Sequence, residues 1–164
     1  MGKEIERKFL VTDESYRSLA KPLFCTQGYL GFEIEPLVRV RIMGNSAFIT
    51  LKGKNTGITR LEFEYEIPTD EAHALLASFC GNPKIEKKRF IFTIENTTWE
   101  VDEFLGDNKG LIVAEVELKS EDEPFSKPKW LGKEVSEDPK YYNYNLVSTP
   151  YSEWTKEMKD GDDG

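Results

Sequence analysis

Polar and apolar residues alternate along eight stretches of this chain, and a period of two is typical of β-strands. In the first stretch Glu4, Glu6 and Lys8 share one face, while Ile5 and Phe9 lie on the other. The alternation predicts eight strands, at residues 4–11, 26–33, 37–42, 47–52, 60–67, 85–94, 98–104 and 111–119.

Helical spacing is found in shorter stretches between and after these strands. Residues 69–79 carry a single apolar stripe made of Ala72, Leu75, Leu76 and Phe79, which predicts an amphipathic helix. Residues 13–20 predict a short helix that begins at a Thr12 cap and ends before Pro22. Near the end of the chain, short helices are predicted around Trp130 and over 140–147.

The charges on the polar faces are segregated by strand. Strands one, five, seven and eight are mainly acidic, and strands three, four and six are basic. An antiparallel sheet with one face in water explains any single strand. The segregation, together with a helix whose stripe needs an apolar surface to cover, favours a closed barrel instead. We therefore predict an α+β fold: a closed eight-stranded antiparallel β-barrel, or tunnel, with a charged wet interior and helices packed outside.

Composition narrows the classes of protein that fit. The chain has 164 residues, 38% of them hydrophobic, which suits one domain with a core. A formal net charge of −8 argues against a general nucleic-acid partner, and no apolar run is long enough to span a membrane. The two cysteines, Cys25 and Cys80, are far apart and predict reduced core thiols in a cytoplasmic protein without a signal peptide. With His73 as the sole histidine, His-based catalysis is not expected.

The sequence Glu4-x-Glu6-x-Lys8 resembles the signature of the CYTH superfamily, the triphosphate tunnel metalloenzymes. Further matches follow in order at Arg39-x-Arg41, Thr50-x-Lys52-Gly53, Arg60-x-Glu62-x-Glu64, Lys87-x-Arg89, Asp102, Lys109-Gly110-Leu111 and Glu115-x-Glu117. The resemblance spans roughly residues 3–150. The compact chain looks most like the small bacterial members, which are typically inorganic triphosphatases.

The resemblance implies three sets of site residues. Carboxylates are hard oxygen ligands for Mg²⁺ or Mn²⁺, and the implied metal set is Glu4, Glu6, Asp102, Glu115 and Glu117. Cations would hold phosphate oxygens, and the implied set is Lys8, Arg39, Arg41, Lys52, Arg60, Lys87 and Arg89. The catalytic candidates are Glu62, Glu64 and Lys8, with one glutamate accepting a proton from water.

The reaction implied is metal-dependent hydrolysis of the terminal phosphoryl group of inorganic triphosphate, with nucleoside triphosphates as further substrates. A class IV-type adenylate cyclase and a thiamine triphosphatase stay open as alternatives, as does a non-catalytic polyphosphate-binding module. The partner is a small-molecule triphosphate, with no nucleic acid and no membrane, and the chain is a monomer or homodimer.

The resemblance also divides the chain. Residues 1–154 are predicted to form one triphosphate tunnel domain, followed by a flexible acidic tail at 155–164. The segment from Asp138 to Asn143 is similar to a family segment, Asp-x-Arg-Tyr-x-Asn, that is associated with a gate over the tunnel mouth. It has Lys140 at the position of the family's Arg, which keeps the charge but loses the two-point fork.

Overall fold

A computed structural model describes residues 2–31, 35–81 and 83–160. The strands in these ranges are β1 (Lys3–Val11), β2 (Leu23–Leu30), β3 (Leu37–Met43), β4 (Ser46–Lys52), β5 (Thr59–Ile67), β6 (Ile85–Ile94), β7 (Thr97–Phe104), β8 (Ile112–Glu117) and β9 (Leu131–Glu134). The α-helices are α1 (Thr69–Phe79), α2 (Asn143–Ser148) and α3 (Lys156–Asp160). Short 3-10 helices lie at Ser15–Leu19, Gly106–Asn108, Pro139–Tyr141 and Tyr151–Glu153.

Eight of the strands form a closed antiparallel barrel. Their order is β5-β4-β3-β2-β6-β7-β8-β1, and a further pairing between β5 and β1 closes the ring. In that pairing Glu4 lies opposite Arg60, while on the other edge of β1 Glu6 lies opposite Glu117. The predicted closed eight-stranded barrel is therefore confirmed.

The ninth strand occupies the part of the β1 edge that β5 leaves free. Strand β9 pairs with β1 at Phe9 and Val11. A helix was predicted around Trp130, and that prediction was wrong, because the chain extends along β1 immediately after this residue. Gly132 permits the close approach, since a Cβ at this position would lie 3.0 Å from the Leu10 carbonyl oxygen.

The apolar faces of the strands point outward and are covered by the rest of the chain. Around Trp130, buried aromatic rings form one cluster in which Trp99 lies 5.5 Å from Trp130, centroid to centroid. Helix α1 covers a second cluster, with Ala72 and Leu76 packed over the barrel. Phe79 was predicted to share that stripe, but it is 66% exposed because the helix ends there.

Several predicted boundaries shift in the structure. The helix predicted at 13–20 is only the 3-10 helix Ser15–Leu19, and Glu14 rather than Thr12 precedes it. Strand β2 begins at Leu23, and Glu33, which the prediction placed at its end, lies outside the described residues. The predicted tail at 155–164 begins with α3, from which Met158 packs against a buried cluster, and residues 161–164 are outside the described ranges.

One of the compositional expectations, that for the two cysteines, has a structural counterpart. Cys25 and Cys80 are both buried and free, as predicted for core thiols. Among the described residues, no helix has the length and apolar composition needed to cross a membrane.

Candidate active site

The barrel interior is a cavity of about 460 Å³ bordered by charged side chains from the strands. Because side chains alternate along each strand, the outward packing of the apolar residues turns the charged ones inward. All but one of the predicted site residues line this cavity; they are Glu4, Glu6, Lys8, Arg39, Arg41, Lys52, Arg60, Glu62, Glu64, Lys87, Arg89, Glu115 and Glu117. The exception is Asp102.

Strands β1, β7 and β8 form an acidic wall of the cavity. One carboxylate oxygen each from Glu6, Glu100 and Glu115 lies within 4.8 Å of the other two. The sequence prediction did not include Glu100, which lies in this carboxylate cluster, and chose Asp102, two residues later on the same face of β7. Register distinguishes them, since Glu100 lies opposite Glu115, whereas Asp102 lies opposite Arg89 on the other neighbouring strand.

The acidic wall carries more negative charge than its own cations balance. Burial and then the neighbouring charges of Glu115 and Glu4 raise the pKa of Glu6 well above its usual value. Burial and the charge of Glu100 likewise raise the pKa of Glu117. Although burial opposes it, Lys8 and a hydrogen bond with Glu6 hold the pKa of Glu115 well below its usual range. A hard divalent cation fits this donor set, because it would relieve the repulsion between the carboxylates.

The opposite wall is basic and contains polar atoms without partners. The guanidinium of Arg39 contacts Thr50 Oγ1 and Glu64 Oε2, each at 3.3 Å, and Arg41 reaches the same Glu64 oxygen at 3.6 Å. The Nε atoms of Arg39 and Arg41 are buried and have no hydrogen-bond partner among the described residues. Burial, then the charges of Arg39 and Arg89, lowers the pKa of Arg41. The concentration of buried positive charge makes this wall suitable for an anion.

Asp102 is committed to two cations. Its carboxylate accepts two hydrogen bonds from Arg89, at 2.8 and 2.9 Å, and pairs with Lys87 Nζ at 2.9 Å. Although burial alone would raise it, Arg89 and Lys87 lower the pKa of Asp102. The side chain is 2% exposed and does not border the cavity. Asp102 therefore contacts both Arg89 and Lys87 from the wall side and fixes the positions of their charged groups.

A mixed-charge group lies at the β4–β5 side of the cavity. Lys52 Nζ contacts Glu62 Oε1 at 3.2 Å and Glu4 Oε1 at 3.6 Å. Burial raises the pKa of Glu62, against the opposing charge of Lys52. Arg60 donates a hydrogen bond from Nε to the Gly53 carbonyl oxygen at 3.0 Å, which ties β5 to the loop after β4.

The C-terminal segment similar to the family motif covers another part of the cavity. Tyr142 and Asn143 border the cavity, and Asn143 Oδ1 accepts a hydrogen bond from Lys87 Nζ at 2.8 Å. Lys140 pairs with Asp138 at 3.1 Å. The sequence motif predicted that this segment lies near the tunnel, but its contacts with individual lysines depend on the tertiary fold.

The interior of this closed barrel has one acidic wall and one basic wall, an arrangement that suits a metal ion together with a polyanion. The CYTH domain matches residues 2–148, and the chain belongs to the CYTH domain family.

The sequences of two inorganic triphosphatases align with nearly the whole chain. An inorganic triphosphatase of Acetivibrio thermocellus is 53% identical over 151 residues, which are 92% of this chain and 97% of the relative. An inorganic triphosphatase of Nitrosomonas europaea is 37% identical over 149 residues, covering 88% of this chain and 96% of the relative. A crystal structure of an inorganic triphosphatase aligns with a TM-score of 0.61 and 32% identity, over 88% of this chain and 93% of the other.

Proposed function

We propose that this chain hydrolyses inorganic triphosphate to pyrophosphate and phosphate, with Mg²⁺ or Mn²⁺ as its metal. The observation that carries the proposal is one cavity bordered both by the cations Arg39 and Arg41 and by the Glu6–Glu100–Glu115 cluster. The relatives named inorganic triphosphatase support the choice of substrate.

The metal set that we propose is the acidic wall, comprising Glu4, Glu6, Glu100, Glu115 and Glu117. Bound there, Mg²⁺ or Mn²⁺ would offset negative charge on the phosphate oxygens and on the leaving group. Asp102, which the sequence placed in this set, is assigned instead to orient Arg89 and Lys87, because its oxygens already meet both cations.

The phosphate-binding set is the array of cavity cations, Lys8, Arg39, Arg41, Lys52, Arg60, Lys87 and Arg89. Arginine offers planar two-point contacts to phosphate oxygens, and lysine offers a compact charge. Their positive charges attract the polyanion into the barrel although the whole chain has a net charge of −8.

In the reaction, a water oxygen attacks the terminal phosphorus as the bond from that phosphorus to the bridging oxygen breaks. Pyrophosphate leaves with the bridging oxygen, and phosphate keeps the oxygen of the water. We assign Glu62 to accept the proton of the water, because burial raises its pKa toward the working range of a base. Glu64 accepts hydrogen bonds from Thr50 and Arg39, and we assign it to hold that arginine in place. We assign Lys8 to stabilise charge on the phosphoryl oxygens.

The test is a substrate panel of tripolyphosphate, ATP and thiamine triphosphate, each with Mg²⁺ and with Mn²⁺. We expect the fastest phosphate release from tripolyphosphate and none when the metal is chelated. Formation of cyclic AMP and pyrophosphate from ATP would identify a cyclase. Turnover of thiamine triphosphate faster than that of tripolyphosphate would identify a thiamine triphosphatase. Binding of tripolyphosphate without phosphate release under either metal would identify a non-catalytic binding module.

A matched pair of arginine variants ties the activity to the cavity. Arg39→Gln removes a cavity cation, and Arg17→Gln removes a surface arginine that pairs with Glu103 and Glu14. We expect Arg39→Gln to lose activity by about a hundredfold, as for a charge-assisted contact made to the reacting phosphoryl group. Equal activities in two folded variants would contradict the site.

The protein is further proposed to act in the cytoplasm as a monomer or homodimer, with no nucleic-acid partner. The two buried free thiols support a reducing compartment. Size-exclusion chromatography with light scattering measures the oligomeric state directly.

A further inference from the structure

Residues 141–144, here called the bridging segment, cross one end of the barrel. At its beginning, the Tyr141 carbonyl oxygen accepts a hydrogen bond from Lys8 Nζ of β1 at 3.4 Å, and the Tyr142 ring lies 5.3 Å from the same nitrogen. At its end, the Tyr144 ring packs edge-on against Tyr29 of β2, with centroids 5.3 Å apart. In the barrel order β1 and β2 are separated by three strands in either direction, so the segment joins opposite walls.

Asn143 lies in the middle of the bridging segment and contacts a cavity lysine. Lys87 is 1% exposed, and its Nζ has two short oxygen contacts, with Asn143 Oδ1 at 2.8 Å and with Asp102 Oδ2 at 2.9 Å. Asp102 does not border the cavity, so its contact holds the ammonium group at the barrel wall. The Asn143 contact draws it toward a residue that borders the cavity.

A second hydrogen bond, from Gln27, reaches the same oxygen of the Asn143 amide. Gln27 is fully buried, and its Nε2 donates to Tyr29 Oη at 2.9 Å and to Asn143 Oδ1 at 3.3 Å. Both Lys87 and Gln27 therefore present donors to the same amide oxygen. Since an ammonium group has no acceptor, the oxygen and not the nitrogen of Asn143 must face Lys87.

We propose that Asn143 is a positioning residue for triphosphate binding, which holds Lys87 Nζ toward the cavity through a neutral oxygen. The proposal rests on the proposed function, in which Lys87 binds phosphate. An amide oxygen orients the ammonium group and leaves its charge available to the anion. A carboxylate in the same place would orient it equally well but would cancel the charge and repel the substrate.

The chain provides a matched control two residues further along. Asn145 is also in the first turn of α2, and its Nδ2 donates to the Pro139 carbonyl oxygen at 2.8 Å. It has the same side chain as Asn143 and also borders the cavity, but its amide nitrogen donates to a carbonyl oxygen within the C-terminal region. Asn145→Ala therefore measures the effect of removing an asparagine side chain from α2 while the contact between Asn143 and Lys87 is kept.

Tripolyphosphate binding to the full chain is measured by calorimetry, and KM and kcat are measured with Mn²⁺, for Asn143→Ala, Asn143→Asp and Asn145→Ala. We expect Asn143→Ala to weaken binding and raise KM about tenfold, the usual effect of losing one charged hydrogen bond, with a smaller change in kcat. Asn143→Asp should bind still more weakly although it keeps the shape and the acceptor. Asn145→Ala should match the wild type.

A double-mutant cycle with Lys87→Met separates positioning from a general structural role. If Asn143 acts through Lys87, Asn143→Ala should have almost no further effect on tripolyphosphate affinity in the Lys87→Met background. An unchanged tenfold effect in that background, or Asn143 variants that bind like Asn145→Ala, would overturn the proposal. If Asn143→Ala fails to fold, affinity of Asn143→Asp equal to that of the wild type would overturn it as well. Failure of the wild type itself to hydrolyse tripolyphosphate would instead refute the proposed function.

Discussion

Asp102 and Glu6 are both carboxylates withdrawn from solvent at the barrel wall, but their surroundings have opposite charge. Asp102 meets Arg89 and Lys87, and these cations lower its pKa in spite of burial. Burial and the carboxylates Glu115 and Glu4 raise the pKa of Glu6. The charged form of Asp102 is stabilised by the folded chain itself, whereas the charge of Lys8 offsets only part of the repulsion at Glu6, which a proton or an added cation would relieve.

The difference between these two sites separates structural charges from ligand-binding charges. A buried ion pair with complete hydrogen bonding is a feature of the empty fold. A cluster of like charges destabilises the empty fold, and its presence indicates a ligand of the opposite sign. By this criterion Asp102 belongs to the scaffold and Glu6 to the proposed metal site. Glu115 lies between the two, because it contacts Glu6 in the cluster and also pairs with Arg89 at 3.2 Å.

The largest expected effect on stability is that of Asp102→Asn. The substitution leaves Arg89 and Lys87 buried without their shared countercharge, so the free energy of unfolding should fall by about 3–5 kcal/mol. Urea unfolding followed by circular dichroism measures this loss. The control is Asp107→Asn, at an exposed position in the turn between β7 and β8, and a loss for Asp102→Asn no larger than for the control would refute its structural role.

Glu6→Gln should have the complementary result, with activity lost and the fold retained. Losing one carboxylate ligand of the metal should lower the rate of tripolyphosphate hydrolysis by about a hundredfold. Glu86→Gln, on the exposed face of β6, should keep normal turnover. Near-normal turnover of folded Glu6→Gln would contradict the metal role of the acidic wall.

Metal alone should stabilise the wild type, because it binds the folded acidic wall and not the unfolded chain. At a concentration of a hundred times Kd the gain is about 2.7 kcal/mol in the free energy of unfolding. A thermal shift of the chelator-treated protein on adding Mn²⁺ or Mg²⁺ measures it without substrate. The shift should be smaller in Glu6→Gln, and the same shift in both proteins would place the metal elsewhere.

The pH dependence of metal-free stability should have opposite signs for the two carboxylates. The raised pKa of Glu6 means that the native state binds its proton more tightly, so its contribution is present at low pH and lost as pH rises through the folded pKa. The lowered pKa of Asp102 means that its contribution is present above the unfolded pKa and is lost as pH falls through the folded pKa.

The free energy of unfolding is measured as a function of pH for the wild type, Glu6→Gln and Asp102→Asn. The difference between the wild type and each variant gives the pH dependence that is due to that carboxylate. We expect Glu6→Gln to gain stability relative to the wild type as pH rises above the usual range of a glutamate. The disadvantage of Asp102→Asn should shrink toward acid pH. Slopes of the same sign for both residues would contradict the assignment of two kinds of charge site.

The smallest effect should come from an ion pair at the surface. Arg7 makes a two-point contact with Glu134, at 2.9 and 2.6 Å, and both side chains are partly exposed. Because water already solvates both groups, Glu134→Gln should cost only about 0.2–1 kcal/mol in the free energy of unfolding. A loss as large as that of Asp102→Asn would show that burial does not distinguish these pairs.

Most of the barrel strands were predictable because they have one apolar and one charged face. In Lys87-x-Arg89, for example, the alternation fixes which side chains share the interior whatever the neighbouring strand is. Strand β9 was not predictable, because its four residues have no clear alternation and their pairing depends on contact between Gly132 and Leu10.

Within the site, residue identity was more predictable than residue role. Glu100 and Asp102 share one face of β7, so periodicity alone treats them alike. Only strand register brings Glu100 to Glu115 and Asp102 to Arg89. The link between Asn143 and Lys87 was likewise out of reach, since these two residues are distant in sequence and meet only across the barrel end.

The pairing of β1 has a consequence for how the chain reaches its native state. Strand β1 precedes all of its partners, β5, β8 and β9, along the chain, so Glu6 finds its partner only when Glu117 has been synthesised. Such long-range pairing slows folding and leaves the edges of β1 exposed to other chains during synthesis. Lys3, Arg7 and the two glutamates of this strand would then act as charged gatekeepers against aggregation before the barrel closes.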